Sequence, residues 1–138
     1  MSEAKNVEVL KQAYQYWNDN KEQAFEHWME LVSDDVNFKS LADGAPGMEF
    51  TRRCECKEDL RRYFLELAAE WEMIHYTVDE YIAQGDRVVA VGSCGWRHRA
   101  TGKEIDSPKA DIVRMRESKI IEFFEFYDTA KIVAVTQA

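Results

Sequence analysis

The chain has 138 residues and a formal net charge of −8, with 46% hydrophobic and 32% charged residues. That length supports one hydrophobic core, and residues 1–138 read as a single domain. The acidic balance excludes the basic face that a nucleic acid or an anionic membrane surface demands, and no apolar run approaches the roughly 20 residues of a membrane-spanning helix. Three cysteines, Cys54, Cys56 and Cys94, follow an N-terminus with no basic-then-apolar leader. That combination points to reduced thiols and a cytoplasmic setting.

Residues 3–19 place Val7, Leu10, Tyr14 and Trp17 at helical spacing, with Glu8, Lys11 and Gln12 elsewhere. This predicts an amphipathic helix with Ser2 as N-cap and Asn18–Asp19–Asn20 as its stop. A second helix over 21–32 carries Phe25, Trp28, Met29 and Val32 on one side. Ser33–Asp34–Asp35 breaks it, and Val36 to Leu41 alternates as a strand. Gly44, Pro46 and Gly47 make residues 42–56 a loop, either a plain connector or a lid. Residues 57–72 form a third helix, striped by Leu60, Phe64, Leu67 and Trp71. From Ile74 the period becomes two. Strands over 74–83, 87–99, 103–116 and 119–128, joined at Gly85–Asp86, Thr101–Gly102 and Glu117–Ser118, predict an antiparallel meander. Gly92 and Gly95 inside a strand mark bulges or bends. A short helix over Thr129–Val135 ends the chain. The plan is α+β, three N-terminal helices packed in a strongly curved antiparallel sheet that leaves a cone with one open mouth.

Chemistry concentrates in the last hairpin. Asp111 shares a strand face with Val113 and Met115. Taken in strict alternation, Asp128 shares one with Glu122, Phe124 and Phe126. A carboxylate on an apolar face is costly to bury charged, so it is paired, neutral or working. Lys109 shares the face of Asp111 and is a candidate ion-pair partner of either Asp111 or Asp128. His98, alternating with Trp96, is a candidate proton shuttle. Tyr14, Trp17, Trp71, Trp96, Lys109, Phe124 and Phe126 are candidate pocket lining. Cys54 and Cys56 form a lone C-x-C, short of the four ligands zinc wants. No glycine-rich phosphate loop or dinucleotide fingerprint is present, so the reading carries no metal and no cofactor.

The order of elements, the Asp34–Asp35 pair and the run PKADIVRMRESKIIEFFEFYDTAK resemble the SnoaL-like polyketide cyclases, ketosteroid isomerases and limonene epoxide hydrolases of the NTF2-like fold. By that resemblance Asp111 stands where the isomerases keep a protonated Asp facing a developing oxyanion. Asp128 stands near the pocket Asp of the epoxide hydrolases. Other family positions differ: Ser40 replaces the isomerase base, Ala13 its helical Tyr, and Ser93 and Gly95 stand near the hydrolase Arg-x-Asp. The resemblance implies cofactor-free acid–base chemistry on an apolar carbonyl or epoxide compound, by isomerisation, cyclisation or hydration. Asp128, Asp111 and His98 would carry it. The rival reading is a non-catalytic ligand-binding or assembly module. Either way a homodimer is expected through an outer sheet face of Ile112, Ile121, Phe123 and Tyr127.

Overall fold

The computed structural model describes residues 2–137. Helix α1 spans Glu3–Asn20, and the Ser2 hydroxyl accepts from the Lys5 N–H at 3.0 Å, the expected N-cap. A 3₁₀ turn, Lys21–Ala24, leads into α2, Phe25–Leu31. Strand β1 covers Val32–Ser40 and helix α3 covers Lys57–Glu70. Then follow β2 (Trp71–Gln84), β3 (Arg87–His98), β4 (Glu104–Arg116), β5 (Lys119–Tyr127) and helix α4 (Thr129–Val135). Between β1 and α3 the chain forms a loop with one 3₁₀ turn at Glu49–Thr51.

The five strands lie in the order β1-β5-β4-β3-β2. The meander from β2 to β5 is antiparallel as predicted, but β1 runs parallel to β5. The sheet is therefore mixed, and it is not strongly curled. Two register shifts in β2, between Met73 and His75 and between Val78 and Glu80, stand opposite Gly95 and Gly92. A Cβ on Gly92 would lie 1.9 Å from the Thr77 carbonyl oxygen, so the backbones approach there as only glycine permits. The apolar faces of the helices meet the inner sheet face in one core that includes Leu10, Val36, Leu60, Val88, Val113 and Ile120.

One register fault reverses an expectation. Glu117 and Ser118 both have positive φ, the geometry of a tight hairpin turn. Arg116 pairs with Lys119 and Met115 with Ile120, but Arg114 pairs with Glu122. Ile121 is the extra residue of a bulge, and one extra residue moves every later side chain to the other face. Phe123, Glu125 and Tyr127 therefore point inward with Val113, Asp111 and Lys109. Phe124 and Phe126 point outward with Ile112. The outer apolar face includes Ile112, Phe124 and Phe126, and Phe123 and Tyr127 are not part of it.

Candidate functional site

Between the helices and the inner sheet face lies a cavity of about 80 Å³. Its wall is mostly aromatic and aliphatic, from Trp17, Trp28, Phe38, Phe64, Trp71 and Trp96 among others. A polar patch interrupts it where β4 meets β5. Asp111 stands opposite Glu125, and Lys109 opposite Tyr127, as adjacent cross-strand pairs on the inward face. Strand period and the Ile121 bulge together put all four on one side.

The patch is bonded throughout. The Lys109 ammonium donates to Asp111 Oδ1 and, at 3.4 Å, to Glu125 Oε2. Tyr14 and Tyr76 each donate to Asp111 Oδ2 at 2.7 Å. Tyr63 donates to Glu125 Oε1 at 2.5 Å. The side chains of Lys109 and Asp111 are 6% and 2% exposed, that of Glu125 11%. Charges so buried persist only when paired and hydrogen-bonded. Burial alone would lower the Lys109 pKa, but the carboxylates of Asp111 and Glu125 outweigh it and raise it above the ordinary lysine value. Burial, then the neighbouring carboxylate, pushes Tyr14, Tyr63 and Tyr76 well above the usual phenol range. These phenols stay protonated and act as donors.

The expected residues divide cleanly. Tyr14, Trp17, Trp71, Trp96 and Lys109 line the cavity. Asp111 lies one layer behind it, 1% exposed, and organises Lys109, Tyr14 and Tyr76. Asp128 does not face the cavity. It is the N-cap of α4, its carboxylate accepting from the Lys131 N–H at 3.0 Å. His98 is buried outside the lining, its ring edge-on to Trp71 at 4.8 Å. Thr101 donates its hydroxyl proton to the Val135 carbonyl, so His98 Nδ1 is the donor in its 3.1 Å bond to Thr101. Burial lowers the His98 pKa. Phe124 and Phe126 stack on each other on the outer face, with Lys39 over Phe124.

Sequence reasoning missed Glu125, Tyr63, Tyr76 and Tyr127. Glu125 is an acid between two phenylalanines, which is a signal in itself, but only the bulge decides which face it takes. Ser40, at the position of the isomerase base, is buried, and its hydroxyl meets that of Tyr127. Among the described residues no group of three or more His, Cys, Asp or Glu gathers as a metal site would require. Among the described residues no helix is long and apolar enough to cross a membrane.

Comparison with known proteins agrees with this architecture. A family model described as a SnoaL-like domain matches residues 10–123. An NTF2-like protein of unknown function from Burkholderia pseudomallei superposes with a TM-score of 0.85 at 16% identity, covering 100% of both chains. An NTF2-like protein from Burkholderia xenovorans gives 0.79 at 20% identity, covering 99% of each. A protein of ketosteroid isomerase-like fold from Catenulispora acidiphila, solved in complex with trimethylamine, gives 0.75 at 19% identity, covering 94% of this chain and 92% of that one. At such identities the likeness establishes the fold. No curated protein matches the sequence.

Proposed function

Because the chain belongs to the SnoaL-like domain family, we propose that it is a cofactor-free acid–base enzyme acting on a small apolar carbonyl compound. The observation that carries this reading is a carboxylate and an ammonium, Glu125 and Lys109, set into the wall of an otherwise apolar cavity. Glu125 takes a proton from the carbon beside the carbonyl. The electron pair moves into an enolate, whose oxygen is stabilised by the fixed positive charge of Lys109. In an unsaturated ketone, returning the proton from Glu125 to the far carbon of the dienolate isomerises the substrate. Attack of the enolate carbon on a second carbonyl breaks that C=O π bond and cyclises it, and the resulting alkoxide takes the proton back from Glu125. Asp111 is a positioning residue, holding Lys109 and the Tyr14 and Tyr76 hydroxyls. Asp128 and His98 have no part, since neither lines the cavity.

A non-catalytic ligand-binding module is the second reading. It is favoured by the hydrogen bonds that already occupy every carboxylate oxygen of Asp111 and Glu125. A homodimer through Ile112, Phe124 and Phe126 remains part of the proposal, and sedimentation at micromolar concentration tests it.

The function is tested by following hydrogen–deuterium exchange at the carbon beside the carbonyl for a panel of aryl and cyclic ketones in heavy water by NMR. Acceleration by catalytic amounts of protein supports the enzyme. Ketones that bind without acceleration support the binding module.

A further inference from the structure

We propose that Tyr127 is the hydroxyl that anchors the ligand, donating its proton to an acceptor oxygen, and that Ser40 and Ala42 hold it ready to do so. The inference rests on the small-molecule reading of the cavity and names which oxygen chemistry that cavity selects.

It follows from counting protons. Tyr14 and Tyr76 spend theirs on Asp111, and Tyr63 spends its own on Glu125. Tyr127 is the cavity-lining phenol with a different partner. Its oxygen meets the Ser40 hydroxyl and lies 3.4 Å from the Ala42 N–H. An amide N–H can only donate. Two hydroxyl protons serve the Ser40–Tyr127 contact, and one fits between the oxygens. Among the described residues neither oxygen has a further acceptor for the second. Tyr127 lines the cavity and Ser40 does not. The arrangement that wastes no buried donor has Ser40 and Ala42 donating to the Tyr127 oxygen, and Tyr127 donating inward. Lys109, its cross-strand partner, lies 6.0 Å from its ring centre and adds positive charge at the same place.

A second observation points to the same ligand chemistry. The indole N–H groups of Trp28 and Trp71 are buried without a partner, and both side chains line this cavity. Indole is donor-only. These two groups add unused donor capacity to the wall, beside the acceptor lone pairs of Glu125. That donor capacity matches a carbonyl or enolate oxygen.

The test uses acetophenone, labelled with ¹³C at the carbonyl, and isopropenylbenzene, which has a CH₂ in place of the oxygen. Binding is read by quenching of tryptophan fluorescence in wild type, Tyr127→Phe and Ser40→Ala. The wild type is expected to favour the ketone, with the bound carbonyl shifted downfield. Tyr127→Phe should weaken ketone binding about two- to tenfold, leave the hydrocarbon unchanged and remove most of that shift. Ser40→Ala should keep the ketone preference within about twofold. An unchanged preference in Tyr127→Phe would overturn the inference. So would an increased preference in Ser40→Ala, because Tyr127 would then have been donating to Ser40. The second variant decides the matter if the first does not fold. If neither compound binds the wild type at millimolar concentration, the small-molecule reading falls and this inference with it; binding independent of Tyr127 removes the inference alone.

Discussion

Two ion-pair triads are centred on cations of β4, each with one cation between two carboxylates. The outer one joins Arg114 to Asp86 at 3.0 Å and to Glu122 at 2.7 Å. The inner one joins Lys109 to Asp111 and, at 3.4 Å, to Glu125. By distance to the second carboxylate the outer triad is the better made. Its carboxylates are half exposed, however, whereas the inner groups are shut away from water. Solvent screens the outer charges and already hydrates each one alone. The inner charges have only each other and three tyrosines. Burial, more than contact length, decides which triad the fold depends on and which the chemistry can use.

The sharpest way to break this contrast is to remove one inner charge. Lys109→Ala leaves two carboxylates facing each other without a cation, and should cost about 3–5 kcal/mol in urea unfolding. Replacing Lys109, Asp111 and Glu125 together by Met and Leu should recover most of that stability while abolishing the proposed chemistry. Next come the donors. Tyr14→Phe and Tyr76→Phe should each cost about 1–3 kcal/mol, and their double-mutant cycle should show coupling through Asp111.

The pH dependence is smaller but has a definite sign. Folding raises the pKa of Lys109 and of Tyr14, Tyr63, Tyr76 and Tyr127. Their contribution is full below the unfolded values, about pH 10, and is lost as pH rises through the folded ones. Chemical denaturation should therefore show stability falling above about pH 10. His98 acts oppositely, because its pKa is lowered. Its contribution is present above about pH 6.5 and fades as pH falls through the folded value, a slope that His98→Gln should flatten. The smallest effect belongs to the outer triad. Arg114→Ala should shift the melting temperature by about 2 °C or less.

Much of this fold was legible because local signals agree with it. Ser2 caps α1, and Thr129–Val135 is the last helix. Gly92 and Gly95 stand at the register shifts of β2. Lys109 shares a face with Asp111, as strand period predicts, and of the two acids it could have met it pairs with that one. Two things escaped. The parallel pairing of β1 with β5 is a long-range choice that neither strand encodes alone. The bulge at Ile121 leaves no composition signature, yet it turns Glu125 inward and Phe124 and Phe126 outward. The place of Asp128 was readable by another rule. An Asp directly before a helix is a favoured N-cap, and here capping prevails over strand alternation.

The role of Glu125 as the base is tested by Glu125→Gln, measured for both stability and ketone exchange. The amide is isosteric, can still accept from Tyr63, and cannot take a proton from carbon. The expected result is a folded protein that loses about 1–3 kcal/mol of stability and keeps ketone binding. Its exchange rate should fall about 100-fold or more. A variant that exchanges ketone protons as fast as the wild type would contradict that role, and the inner triad would then be a buried structural clamp beside a cavity that only binds.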